Sequence, residues 1–446
     1  MTPKRAAAVH SRRAERPSTP DGAPRRRRPC STAAQTTSPP AWGAKRARTA
    51  RGGGPRALWR DWAGLADGPA GLVAERVLAG DVADYVRFRA VCRAWRRCSA
   101  DPRKHSALDA RFHPRRWFMA RETPHPNFPD RRLFMNVSTG QFVGMHLPEL
   151  YGYCTFGPTA EGLLVLVDKL TLVVRLLNPF TQQLTELPTL ATLLPPARSS
   201  YGHELADGDL SVCGAGLADE YTFALYVRKA TMLAVARPGD RRWTVVDRGT
   251  LFVSALSFAG RFYCADEHGD ITVVDTAGNQ RPLRVAAVAE LAARFSPMAL
   301  AHRMHLVESD GELMLVHRIL CRDDDGVGLG GYRRRYDVYR VDLDARKTVP
   351  VRALNGHAVF FGKYRALSVS SEAFPSVIAD AVYPSIEFDE KFEREKIDAY
   401  RLVDGSIEPL VCSYVYDIQG AMKMARPYRI IDYLCSCVRG YADTSY

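Results

Sequence analysis

Several stretches of this 446-residue sequence carry residues whose type and spacing suit chemistry. GVGLGG, residues 326–331, satisfies the Gly-x-Gly-x-x-Gly pattern of a dinucleotide-binding turn. Such a turn works when its last glycine opens a helix whose N-terminus meets a pyrophosphate. Here Asp323, Asp324 and Asp325 precede it, putting three carboxylates where the anion belongs, and RRRYDVYRV after it reads as a strand. A hairpin loop is expected. GHAVFFGKY, 356–364, has the outline of a phosphate loop, but five residues separate Gly356 from Gly362 and Tyr364 replaces the magnesium-binding hydroxyl. Its AVFF centre reads as a strand. His302 and His305 could present two imidazoles, yet no third ligand follows at metal spacing. The three aspartates lack the spacing of a calcium loop, and Cys435-Ser-Cys437 is one residue short of a redox Cys-x-x-Cys. No Gly-x-Ser-x-Gly elbow occurs. The expectation is no metal, no cofactor and no catalytic residue, with convergence of scattered Ser, His and Asp in the fold left open.

The elements that would position any site come next. Apolar residues make up 46% of the chain, enough for a sizeable core. No run of 18 apolar residues suggests a membrane helix, and no apolar segment backs the N-terminal charges as in a secretory signal. An intracellular protein, nuclear or cytoplasmic, with reduced thiols is expected. The net charge of +13 is local: residues 1–56 hold 14 Lys/Arg against Glu15 and Asp21, so the rest carries about +1. That Pro-, Ala-, Ser- and Arg-rich tail cannot bury enough surface to offset ordering, and disorder is predicted over 1–56. Arg25, Arg26, Arg27 and Arg28, then Lys45, Arg46 and Arg48, are nuclear-import candidates; weak nucleic-acid contact or a bland tail are the alternatives.

Order is predicted from about residue 57. A helical module over 57–105 contains one helix with Pro69 in its first turn, Leu72, Val73 and Val77 on one face, and Gly80 as the stop. A second helix opens near Asp81 and runs to Cys98, with Tyr85, Phe88, Cys92 and Trp95 as an apolar stripe. So small a module cannot build its own core without a metal, a disulfide or a partner. Either the rest of the chain or a second protein must cover it. Arg87, Arg89, Arg93 and Arg96 between these residues read as a solvated face.

From about 106 to 435 short strand–turn–strand units recur. The residues entering six of the turns, Asn136, Asn178, Arg237, Asp275, Asp342 and Val403, are spaced by about 53 on average. That is the length of a four-stranded blade with loops. The predicted fold is mainly β: a disordered tail, a small all-α module, a β-propeller of about six blades, and a C-terminal tail from 436. A pair of β-sandwiches is the alternative.

WAGLADGPAGLVAERVLAGDVADYVRFRAVCRAWR resembles an F-box, the closing Val91-Cys92-Arg93-Ala94-Trp95-Arg96 most closely; Leu65 is separated from Pro69 where that motif has Leu-Pro. FMNVSTGQFVGMHLP, LLNPFTQQLTELP and SVSSEAFPSVIADAVYP are similar to the propeller of plant F-box proteins of the KIB type, so the likeness covers about 60–435. The resemblance implies a substrate receptor of a Skp–cullin–F-box ubiquitin ligase, itself without catalytic side chains. It implies that Leu65, Pro69, Leu72, Val73, Val77, Leu78, Phe88, Val91, Cys92 and Trp95 contact the Skp adaptor or support those contacts. Through the adaptor the partner would be a cullin, and the propeller would bind a target protein, with loops 188–204 and 321–336 as candidates. A nuclear scaffold or nucleic-acid-associated propeller with no ligase role is the alternative.

Overall fold

Alternation with a two-residue period makes strands, and the polar turns between them make antiparallel neighbours. A computed structural model describes residues 62–120, 131–193, 212–276, 282–286, 302–322, 332–362, 365–384, 398–409, 414–416, 422–424 and 430–438. The basic tail with its seven import candidates, and the GVGLGG segment, lie outside the described residues. Three helices come first: α1 (Asp67–Gly80), α2 (Val82–Val91) and α3 (Arg93–Arg97).

Six sheets follow in chain order. Blade 1 is Trp117–Met119, Arg131–Asn136 and Phe142–His146. Blade 2 is Tyr153–Phe156, Leu164–Asp168, Val173–Asn178 and Gln183–Thr189. Blade 3 is Val212–Leu217, Phe223–Val227, Met232–Ala236 and Thr244–Arg248. Blade 4 is Phe252–Phe258, Arg261–Asp266, Ile271–Val274 and Pro282–Ala286. Blade 5 is His302–Ser309, Glu312–Arg322, Tyr332–Asp342 and Lys347–Val351. Blade 6 has five strands, in spatial order Ala366–Ser370, His357–Phe361, Ala381–Pro384, Asp398–Arg401 and Ile407–Pro409. A short hairpin, Tyr414–Tyr416 with Met422–Met424, and helix α4 (Ile430–Val438) complete the chain.

The first strands of blades 3, 4 and 5 and Ala366–Ser370 of blade 6 lie side by side around the axis. Apolar residues of each blade pack on those of the next. Val165, Val167 and Leu176 of blade 2 share a core with Leu225 and Ala234 of blade 3, and Val316 of blade 5 shares one with Val359 and Val382 of blade 6. Buried polar groups join the blades as well: Glu161 Oε1 accepts from the Leu217 amide at 3.1 Å, and Trp243 Nε1 donates to the Pro188 carbonyl at 2.8 Å. Met135 and Phe118 of blade 1 join Phe360, Leu367 and Tyr383 of blade 6 in one cluster with Leu434 and Val438 of α4, which closes the ring. This is a six-bladed β-propeller.

All six turn residues singled out by the repeat connect the last two strands of a blade. In blades 1 and 2 the turns are alike. The Asn136 and Asn178 side chains accept from the amides two and three residues on, and Gly140 and Gln182 adopt φ of +69° and +58°. Blade 6 departs from the repeat. His357–Phe361 inserts next to the inner strand and runs parallel to Ala381–Pro384, so GHAVFFGKY supplies a core strand.

Candidate partner-binding surface

The helices do not stand apart from the propeller. From Asp61 onward the elements form one compact unit, not a free module followed by a separate domain. Ala74 of α1 and Val82, Ala83, Tyr85 and Phe88 of α2 share a core with Phe112, Trp117, Phe134, Leu164, Leu177 and Phe180. Burying each of the larger side chains is worth about 2 kcal/mol. Polar bonds fix the same junction. Asp81 Oδ1 caps α2 by accepting from the Ala83 and Asp84 amides. Its Oδ2 accepts from Trp117 Nε1 at 2.8 Å and from Asn136 Nδ2 at 3.0 Å, both in blade 1. Asn178 Nδ2 donates to the Phe112 carbonyl at 2.7 Å, and Gln183 Nε2 to the Arg103 carbonyl at 2.9 Å. The turn asparagines of blades 1 and 2 therefore do two jobs, closing a hairpin with Oδ1 and holding the helical segment with Nδ2. From sequence they read as turn residues only; two asparagines at equivalent places in neighbouring repeats are the signal that could have found the second job.

The expected single helix from Asp81 to Cys98 is broken at Cys92. Its backbone is extended, φ −154° and ψ 168°, and its Sγ accepts from the Trp95 amide, so Cys92 ends α2 and caps α3. The break turns Trp95 back onto Phe88, ring centroids 4.4 Å apart and nearly parallel, while Trp95 Nε1 donates to the Trp62 carbonyl. Tyr85 donates its hydroxyl to the Ala100 carbonyl, and burial raises its pKa.

Arg89 corrects the expectation of a solvated basic face. It is buried, and its Nη1 donates to the carbonyls of Arg96, Ser99 and Ala100, with Asp101 3.5 Å from Nη2. One guanidinium thus satisfies the carbonyls that α3 leaves at its end. Arg87, by contrast, is an exposed partner of Asp84. Replacing Arg89 with Met should lower unfolding free energy by about 3 kcal/mol in urea titration, because several buried carbonyls lose their donor. A loss under about 0.5 kcal/mol would contradict this role.

The outer side of the helices is different. Leu72 is 70% exposed, Val91 64% and Trp62 57%, with Val73 also open. The sequence-based expectation puts Leu72, Val73 and Val77 on one face. Instead Val77 and Leu78 turn inward with Ala70 and Ala74, and Leu72 points away from them, as a 100° step per residue requires. Pro69 is exposed with Leu72 and Val73, whereas Leu65, Cys92 and Trp95 are half-buried and Phe88 is buried. Of the ten candidate contacts, Pro69, Leu72, Val73 and Val91 offer an open surface, and Phe88, Val77, Leu78 and Trp95 build the support beneath it. Trp62 is an exposed member that sequence reasoning passed over.

Elsewhere the motifs resolve into structure. His305 is buried against Phe361, and Cys435 is one of the α4 residues buried in the core shared with blades 1 and 6. Arg322 pairs with Tyr332 between the second and third strands of blade 5. Near the axis, Gly214 and Gly216 abut Ala255 and Ser257, and Ser309 and Ser368 are hydrogen-bonded at 2.8 Å. Among the described residues no three His, Cys, Asp or Glu side chains group as metal ligands, and no helix is long and apolar enough to cross a membrane.

Comparison with known proteins places this architecture. No curated relative matches the sequence. Solved structures match only at low similarity. A chain of an S. cerevisiae complex of dbp5, nup159 and gle1 is 6% identical with a TM-score of 0.28, over 53% of this chain and 58%, under two thirds, of that chain. The Myceliophteria thermophila Cps50 (Swd1) β-propeller domain is 12% identical with a TM-score of 0.28, over 66% and 85%. YCF48 from Cyanidioschyzon merolae is 11% identical with a TM-score of 0.27, over 60% and 76%. Scores this low bear on neither function nor partners. The model of the KIB1-4 beta-propeller, however, matches residues 134–407, from the second strand of blade 1 to the last strand of blade 6, and the chain belongs to that family.

Proposed function

We propose that this protein is a substrate receptor of a Skp–cullin–F-box ubiquitin ligase. The observation that carries the reading is the division of the helical segment. Its inner side is joined to blades 1 and 2, and its outer side leaves Trp62, Leu72, Val73 and Val91 in solvent. Large apolar side chains left out on so small a segment suit burial by another polypeptide. The Skp adaptor is the proposed partner, bringing a cullin with it, and the rigid junction would hold the propeller and its bound target in a fixed orientation. A target lysine near a charged E2 then reacts at raised effective concentration, with no catalytic side chain required here. Action in the nucleus, the cytoplasm or both fits this role.

Co-purification of the full chain with the adaptor tests it. Leu72→Glu with Val91→Glu should weaken adaptor binding at least about 100-fold, since central apolar anchors are each worth about 2 kcal/mol. Both sites are exposed, so the unfolding midpoint should stay put. Full-strength binding by the double variant, or no adaptor binding by the parent, would remove the assignment.

A further inference from the structure

Residues 107–116 carry the chain from the helices into blade 1, and they are seated on blade 2. The Ala107 amide donates to Thr185 Oγ1 at 3.2 Å, and the Phe112 carbonyl accepts from Asn178 Nδ2 at 2.7 Å. The Pro114 carbonyl lies so close to Gly162 that no Cβ fits between them. His113 and Glu161 precede these two residues, one on each side of the contact, and both are buried, 7% and 4% exposed. Each has one end fixed by main chain. His113 Nε2 meets the Ala107 carbonyl at 3.2 Å, and because a carbonyl only accepts, Nε2 carries the proton. Glu161 Oε1 accepts from the Leu217 amide of blade 3. The other ends, His113 Nδ1 and Glu161 Oε2, are enclosed and have no hydrogen-bond partner. A neutral ring leaves Nδ1 as a bare acceptor, whereas a charged ring would bury a second N–H with nothing bonded to it. The seated segment accommodates the first and penalises the second.

We infer that His113 is a proton-operated release: with its ring neutral, residues 107–116 stay seated on blade 2, and with its ring charged they detach. Three charged groups act on the ring, Glu161 from blade 2 and Arg115 and Asp109 from its own segment. Burial outweighs the attraction of the Glu161 and Asp109 carboxylates, Arg115 works in the same direction as burial, and the pKa falls below its ordinary value of 6.5. The detached segment therefore binds the proton first. Attachment is at full strength above about pH 6.5 and weakens as the pH falls from there towards the lowered value. Across that window release takes up one proton, so its equilibrium constant rises up to about tenfold for each pH unit. Release removes one of the ties that hold the helices, with their exposed Leu72 and Val91, in a fixed orientation on the propeller. It requires nothing of the partner that docks there, so it stands apart from the ligase reading.

The test is limited proteolysis of the full chain from about pH 7.5 to about pH 5.5, with cleavage within residues 98–116 read by mass spectrometry. Protease activity is calibrated at each pH on an unfolded substrate. Cleavage of the parent should rise at least about fivefold over the lower pH unit of that range. His113→Gln, whose amide can still donate to the Ala107 carbonyl, should show no rise. Glu161→Gln should keep the rise, because the carboxylate is not the group that titrates. His105→Gln, which removes the other imidazole of the segment, should keep it as well. A flat profile in the parent, a full rise in His113→Gln, or loss of the rise in Glu161→Gln or His105→Gln would overturn the proposal. The parent and the last two variants decide the matter even where His113→Gln fails to fold.

Discussion

Asp81→Ala should cost this protein about 4 kcal/mol of unfolding free energy, the largest loss expected from any single surface-proximal change. Its carboxylate serves two structures at once. Oδ1 caps α2, a contribution of about 1 kcal/mol. Oδ2 takes hydrogen bonds from Trp117 Nε1 and Asn136 Nδ2. Trp117 is fully buried and Asn136 nearly so, and a buried donor left without an acceptor costs about 1–3 kcal/mol. Asp81→Asn separates the parts: the amide oxygen can still cap the helix, but an N–H then faces the two donors. It should therefore recover about the cap and little else. Urea unfolding of both variants, repeated on a Trp117→Phe background, measures the coupling. Equal stability of parent and Asp81→Ala would show that the helices are not anchored through this group. Because the anchor lies between helix and blade, the same variant should also expose the 98–116 segment to protease earlier than the parent.

Gly162→Ala is expected to lose about 3 kcal/mol or more, for a reason that can be isolated. Gly162 lies between the first two strands of blade 2 at φ +83°, and a Cβ there would overlap the Pro114 carbonyl in the segment leading from the helices. Two costs combine, the left-handed backbone of a side-chain-bearing residue and the displacement of a neighbouring main chain. Gly152 provides the control. Its φ of +82° is nearly the same, but nothing lies within 4 Å of a Cβ placed there. Gly152→Ala should cost only about 1 kcal/mol. The difference between the two measures how tightly the helical segment is pressed on blade 2; equal losses would mean that the close approach at Pro114 relaxes freely.

Much of this architecture was legible in the chain. The six turn residues from Asn136 to Val403 marked the closing hairpin of every blade, because a strand–turn–strand unit is local and its turn needs particular residues. The start of α2 was legible at Asp81 for the same reason, capping being an interaction over two or three residues. The break at Cys92 was not. Tyr85, Phe88, Cys92 and Trp95 keep helical spacing through it, and only the stacking of Trp95 on Phe88 and the demands of the Arg89 guanidinium favour the bent path. Blade 6 hid its fifth strand similarly, since His357–Phe361 finds its neighbours across a parallel pairing that no local pattern announces.

The candidate surface divides along the same line. Composition and periodicity by themselves determined that a short helical segment precedes a β-repeat and carries more apolar side chains than it can bury alone. Which of them it buries was decided by tertiary packing: Ala74, Val82, Tyr85 and Phe88 meet blades 1 and 2, while Leu72, Val73 and Val91 do not. Hydrophobicity sets how strongly a side chain leaves water but not which neighbour receives it. That choice rests on shape and on the few polar groups, Asp81, Asn136 and Asn178, that fix the helices in one orientation on the propeller.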